Sequence, residues 1–312
     1  MNKRYSNIVF FNYFHNGDIH ISRNYIKLVM DKMKYMLDGE FYETHRNDPC
    51  LLADIEGINH LPFQMFSNSQ VPYNVPHYLD NNRNLYINTW AGQDHCRKDP
   101  SEKRCTFPSI TDNYNMILED LGVGKLDSNV VDIFPSIDYN KINTHNIDTH
   151  FVGTDRRHVL ICNGDTLSGQ CPNFDFNPII DRLAENHRSI DFVLTNHSDN
   201  RVERENVFYS EDIIGDVGHS DLNEISYLST FCGLMVGRIS GPHTFSFVRE
   251  NYINENKTNI AICEDYKESD YDAKIYPECK MKTLWSKYES DSQVEGLIET
   301  AMNELFSEKA GV

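Results

Sequence analysis

Short, nearly uninterrupted apolar runs alternate with helix-like segments along this chain, in two series separated by a polar stretch. Runs of this length, bounded by turn residues and lacking strict polar alternation, are the pattern of parallel strands covered on both faces by helices. The first series opens with NIVFFNY (7–13), a strand. The polar turn His15-Asn16-Gly17-Asp18 follows, then a helix from about Ser22 to Leu37 with Ile26, Val29, Met30 and Met33 at helical spacing. A second strand is predicted at NLYINTW (84–90). Residues 91–113 are polar and loop-like, and a helix from Asp112 to Leu121 is stopped by Gly122.

Residues 135–157 (PSIDYNKINTHNIDTHFVGTDRR) are turn-rich and form the best linker candidate. Beyond them strands are predicted at 158–163, 190–196, 207–210, 233–237 and 259–263. Helices are predicted at 177–187, at 221–231 with Asp221 and Glu224 in capping-box spacing, and from Pro242 onward. The last helix carries Val294, Leu297, Ile298, Ala301, Met302 and Leu305 on one face. The expected architecture is α/β, with two Rossmann-like domains over residues 1–150 and 151–312. They are expected to face across a cleft where strand C-termini meet.

Charge narrows the partners. The formal net charge of −18 repels nucleic acid and anionic membrane, so neither is an expected partner. An anionic ligand would have to be held by backbone N–H groups and local cations. No stretch approaches the roughly 20 apolar residues of a membrane span. The start MNKRYSNIVFFNYF is too short and too polar in its apolar part for a signal peptide, so a soluble, cytoplasmic protein is expected. The sequons at Asn196 and Asn256 are then chance matches.

The eight cysteines form no CxxC pair, and most lie in apolar runs, so they read as reduced thiols. Cys96 and Cys105 are the pair that a loop disulfide, or a metal site with His95, would use. No second close pair supports a metal. Asp270-Tyr271-Asp272 spells DxD, but in an acidic, Tyr-rich stretch that reads as solvated loop.

Three segments carry candidate chemistry. Gly237-Arg238-Ile239-Ser240-Gly241-Pro242-His243-Thr244 lies between an apolar strand and a predicted helix. Its small residues would let a ligand approach the backbone, and the helix start offers N–H groups to a pyrophosphate. Arg238 adds a charge-assisted contact. The alternative is a plain strand-turn-helix connection. The segment is neither a Walker loop nor a nucleophile elbow. Asp18, after Gly17 at the end of the first strand, is placed to take a proton from an acceptor hydroxyl, with His20 or His15 as substitutes. Asp18 is equally an ordinary turn or cap residue. Asn163-Gly164-Asp165-Thr166 ends the strand HVLICN and is either a loop that touches phosphate or ribose or an ordinary strand-to-helix connection. Thr195 and Asn196 occupy the same position after the next strand.

The order strand–GD–helix, then strand–Asn–Gly, then DLNEISYLSTFCGLMVGRISGPHTF resembles the family 9 glycosyltransferases, the bacterial heptosyltransferases and their relatives. Gly17-Asp18 resembles their N-terminal GD turn. Leu222, Glu224 and Ser240-Gly241-Pro242-His243 resemble their C-terminal signature, although His243 follows Pro242 directly where the family's His lies one residue further on. The resemblance implies a GT-B fold, which allows the last helix to cross back onto the first half. It implies inverting transfer of a sugar from a nucleotide diphosphate sugar to an acceptor hydroxyl on a glycan or another molecule. The donor, a substrate rather than a cofactor, would sit on the C-terminal half and the acceptor on the N-terminal half. Asp18 would be the general base, Glu224 would meet ribose or sugar hydroxyls, and the Ser240–Thr244 turn would stabilise the leaving diphosphate without a metal. A nucleotide-sugar epimerase on the same scaffold and a non-catalytic nucleotide- or sugar-binding module are the competing readings.

Overall fold

A computed structural model of the chain describes residues 4–67, 71–92, 106–126, 129–166, 171–196, 200–239, 241–264 and 276–307. They form two compact units that divide between Lys141 and Ile142. The expected sites at His95, Cys96 and Cys105, at Asp270 and Asp272, and at Ser240 lie outside the described residues. Among the described residues no helix is long and apolar enough to cross a membrane.

Unit 1 runs β1 (Asn7–Asn12), α1 (Asn16–Met33), β2 (Phe41–His45), β3 (Ile58–His60), α2 (Phe63–Ser67), β4 (His77–Leu79), β5 (Asn84–Asn88), α3 (Phe107–Asp120) and α4 (Val130–Ile133). Its sheet has the order β3-β2-β1-β5-β4, parallel except for β4, which pairs antiparallel with β5. Val9 and Phe11 of β1 pack with Phe66, Val71 and Tyr86. Tyr25 of α1 stacks on Tyr114 of α3 with ring centroids 4.8 Å apart.

Two expectations for this unit are corrected. Helix α1 starts at Asn16, not near Ser22, so the supposed turn is its first turn. An acid there is favoured by the helix dipole, and the His15 N–H donates to the Asp18 carboxylate at 3.4 Å. Strands β2, β3 and β4 were not legible. The β2 sequence FYETH places Glu, Thr and His on a buried strand, which an apolar-run criterion passes over.

Unit 2 runs α5 (His145–Phe151), β6 (Arg157–Cys162), α6 (Asn177–Asn186), β7 (Ile190–Leu194), β8 (Val207–Tyr209), α7 (Ser210–Ile214), α8 (Leu222–Ser229), β9 (Leu234–Arg238), α9 (Gly241–Phe245), α10 (Arg249–Tyr252), β10 (Thr258–Ile262), β11 (Lys282–Ser286) and α11 (Asp291–Ser307). All strand pairings here are parallel, in the order β11-β10-β9-β6-β7-β8. Counted within the unit this is 3-2-1-4-5-6, the doubly wound dinucleotide-binding order, with its topological switch between β6 and β9. The sheet core of Val159, Ile161, Phe192, Leu194, Val236 and Ile260 is covered by α6 and by Val294, Ile298, Ala301 and Met302 of α11. The last helix is thus part of this unit's core. The polar stretch 135–157 also holds more than linker, since α5 buries Ile147 and Phe151, and Phe151 stacks on Phe231 at 5.2 Å.

Candidate active site

In an open α/β sheet, ligands bind beyond the strand C-termini at the switch point. In unit 2 that position is flanked by the loop after β6 (Asn163–Thr166) and the turn after β9 (Ile239–Thr244), two of the three segments singled out above. The strands are drawn together there by a glycine. Gly237 is the register partner of Cys162. A Cβ on Gly237 would lie 2.6 Å from Cys162 Cβ and 3.0 Å from the His243 ring. The small residue therefore admits neighbouring side chains, not a ligand as expected.

Arg238 also differs from expectation. It is 1% exposed, and its guanidinium donates to the carbonyls of Gly164 (3.1 Å), Asn163 and Phe174. Its guanidinium carbon lies 5.2 Å from the Phe174 ring centroid and 5.3 Å from that of Phe176. Burial lowers its pKa. Its donors are committed to main-chain oxygens and, at 3.4 Å, to the Asp165 carboxylate, so Arg238 shapes the β6 loop rather than presenting a free cation to a diphosphate. Asn163 and Asn196 tie the next loop to it. The Asn163 amide donates to Asn196 O at 3.1 Å, and the Asn196 N–H donates to Asn163 Oδ1 at 2.8 Å. Gly164 is needed for closeness, because a Cβ there would meet Asn196 Oδ1 at 3.1 Å.

His243 is fully buried in α9 with Nε2 2.8 Å from Asn259 Oδ1, and burial pushes its pKa down to about 4. It is a neutral ring wedged behind the turn, not a ligand-facing group. Gly241 and Pro242 are half-buried and Thr244 is buried. Helix α9 spans five residues. Its dipole is accordingly weaker than that of the longer helix expected, and the contribution open to an anion is that of individual N–H groups.

Several buried polar atoms of unit 2 make no hydrogen bond among the described residues: Thr166 Oγ1, Thr195 Oγ1, His243 Nδ1 and both carboxylate oxygens of Glu224. Buried polar groups are ordinarily paired. Thr166 and Thr195 stand just beyond the ends of β6 and β7, and Glu224 lies in the first turn of α8. Burial pushes the Glu224 pKa up.

In unit 1 the switch point lies between β1 and β5. Asp18 stands in the first turn of α1, which follows β1, and α1 is tied to the end of β5 by Ser22 Oγ donating to Thr89 O. Asp18 is 8% exposed, and burial raises its carboxyl to about 7. His20 is fully buried within α1 and does not have the exposure a base for an incoming acceptor needs. His15, at the N-cap, is exposed. Phe14 and Trp90, which follow β1 and β5, stack at 4.0 Å and 21°. Sequence reasoning missed this pair, because the two rings are 76 positions apart and only the β1–β5 pairing joins them.

The cysteines expected to be reduced are free at Cys50, Cys162, Cys171, Cys232, Cys263 and Cys279. Burial pushes the Cys171 and Cys232 thiols up to about 12. A metal-competent trio that the sequence did not reveal lies on β2 and β3: Glu43, His45 and His60, whose ligand atoms are all within 4.8 Å of one another.

No family model and no curated protein matches the sequence. Solved structures do resemble it. The ADP-heptose LPS heptosyltransferase II of E. coli aligns over 97% of this chain and 100% of its own, with 10% identity and a TM-score of 0.56. A glycosyl transferase family 9 protein from Veillonella parvula aligns over 99% of both chains, with 11% identity and a TM-score of 0.54. E. coli heptosyltransferase WaaC, solved with ADP, aligns over 96% of this chain and 99% of its own, with 9% identity and a TM-score of 0.54. At such identities the likeness is one of fold. The chain therefore has a GT-B-like α/β fold of two Rossmann-like units, the architecture of the family 9 glycosyltransferases to which it is similar.

Proposed function

We propose that the chain is an inverting glycosyltransferase that moves a sugar from a nucleoside diphosphate sugar to an acceptor hydroxyl. The observation that carries this reading is the set of unpaired buried polar atoms in unit 2, two of them at the crest of a sheet with dinucleotide-binding strand order. Glu224 accepts from ribose or sugar hydroxyls. Thr166 and Thr195 bond the nucleotide. Backbone N–H groups of the Ser240–Thr244 turn receive the diphosphate, and Arg238 holds the neighbouring loop open for it. The solved relative crystallised with ADP supports a nucleotide of this class.

Asp18 acts as the base. As the acceptor oxygen forms its bond to the anomeric carbon, the bond from that carbon to the diphosphate oxygen breaks. The acceptor proton passes to the Asp18 carboxylate, and the charge left on the diphosphate is met by the turn's N–H groups. This scheme assigns no metal to the step.

The test is a panel of nucleotide sugars incubated with and without acceptors. Acceptor-dependent transfer supports the reading. Donor epimerisation without acceptor, or binding with neither reaction, overturns it. Calorimetry with nucleoside diphosphates locates the donor: Gly241→Val is expected to weaken binding at least about tenfold by blocking backbone approach, and unchanged affinity moves the site elsewhere.

A further inference from the structure

We propose that Glu43, His45 and His60 form a binding site for a divalent transition-metal ion of the zinc class. The inference stands on unit 1 alone and is independent of the transferase reading. Glu43 and His45 are two apart on β2 and so share one face. The parallel pairing of β2 with β3 sets His60 directly beside Glu43. Glu43 Oε2 and His45 Nε2 face each other at 3.2 Å, and His60 Nδ1 lies 2.6 Å from Glu43 Oε1.

Two features point to an ion-binding site rather than to a self-contained polar cluster. Glu43 Oε2 and His45 Nε2 are fully buried, yet neither makes a hydrogen bond, to the other or to anything else among the described residues. Atoms on adjacent corners of a tetrahedral zinc ion, each about 2.0–2.1 Å from it, lie about 3.3–3.4 Å apart. The observed 3.2 Å is close to that separation. An ion placed between these atoms satisfies both and cancels the carboxylate charge. To take a third corner, His60 gives up its hydrogen bond to Glu43 Oε1 and swings Nδ1 toward the ion, within a cluster whose ligand atoms already lie within 4.8 Å of one another. Its side chain is 27% exposed and it ends a three-residue strand, so it has room to do so.

Coordination also changes the other side of the His45 ring. Nδ1 now accepts from the Asn47 N–H at 3.2 Å. With a metal on Nε2 the neutral ring carries its proton on Nδ1, so the Asn47 amide must turn away. One backbone hydrogen bond is a small loss beside a set of three coordination bonds. Two imidazoles and one carboxylate suit zinc, cobalt(II) and iron(II), and leave a fourth position for water or a substrate oxygen. The site lies at the crest of the sheet, since His45 is the register partner of Asn12, the last residue of β1.

The experiment uses the full chain, dialysed against a chelator and then titrated with cobalt(II) chloride. Expected is a saturable visible absorption band at one ion per chain, typical of four- or five-coordinate cobalt, without thiolate charge-transfer absorption and displaced by zinc. His60→Ala, at a part-exposed position, and Glu43→Gln are each expected to weaken binding at least 100-fold while circular dichroism keeps its native form. Cys96→Ser/Cys105→Ser is expected to leave the band intact. No saturable band in the wild-type protein, or a band that survives both His60→Ala and Glu43→Gln, overturns the proposal.

Discussion

Cys162 and Gly237 are register partners at the ends of β6 and β9, and the space between them admits one Cβ, not two. Gly237→Ala would place a methyl 2.6 Å from Cys162 Cβ. Overpacking of this kind costs about 1–3 kcal/mol. Cys162→Gly combined with Gly237→Ala removes the obstructing Cβ and is expected to recover part of the loss. Denaturant midpoints of the single and double variants check this, and additive losses would contradict it.

Asp18 couples stability to pH through one proton. Burial raises its carboxyl to about 7, while the unfolded carboxyl titrates near 3.8. Between those values the folded chain holds a proton that the unfolded chain has released. Stability therefore falls as pH rises from about 4 to about 7, by at most about 1.4 kcal/mol per pH unit for one group. Asp18→Asn should flatten that slope. If Asp18 is the base, kcat/KM of the wild type rises through about pH 7, and Asp18→Asn lowers turnover by about 10²–10⁴-fold with donor affinity nearly unchanged. Near-normal single-turnover chemistry in that variant would remove Asp18 from the mechanism.

His243 gives the opposite pH sign. Its pKa is held down to about 4 by burial, against 6.5 for the free side chain. The unfolded chain takes up a proton that the folded chain refuses. The stabilisation is complete above about pH 6.5 and is lost as pH falls toward about 4. His243→Gln keeps a donor for Asn259 and removes the titration. Its unfolding free energy should lose one proton's worth of slope across that window, measured by denaturant titration at several pH values.

Lys257 closes the C-terminus of α8. Its ammonium donates to the carbonyls of Ser229 at 3.1 Å, Thr230 at 2.6 Å and Cys232 at 2.6 Å. These include carbonyls that a helix end leaves unpaired, at the negative end of its dipole. Lys257→Met strands the Thr230 and Cys232 carbonyls and is expected to cost about 2–4 kcal/mol. Hydrogen exchange should accelerate along α8, the helix that carries Glu224, ahead of the rest of unit 2.

Arg238→Lys tests the role of the β6 loop. A lysine keeps the charge but cannot bridge three carbonyls in one plane. Nucleoside diphosphate affinity is expected to fall about 10–100-fold, about 1.4–2.7 kcal/mol, with unit 2 still folded. Unchanged affinity by calorimetry would mean that the loop does not form the donor site.

Elements whose burial is written into a local residue pattern were legible before any tertiary contact was known. Strands β1, β6, β7, β9 and β10 are short apolar runs, and α8 and α11 carry apolar faces, so both the alternation and the two-unit α/β class were legible. The segments flanking the β6–β9 switch point were legible too, because glycine and small polar residues after an apolar run mark a strand's C-terminal end. Other features depended on which distant segments became neighbours. FYETH is a strand only because β1 and β3 pair on either side of it, and the same pairing joins His60 to Glu43. Arg238 and His243 carry no sign in the sequence that carbonyls at 163, 164 and 174 and the amide of Asn259 will occupy them. The pKa values of Asp18 and His243 likewise come from desolvation. That is a property of the surrounding packing, which no local residue pattern encodes.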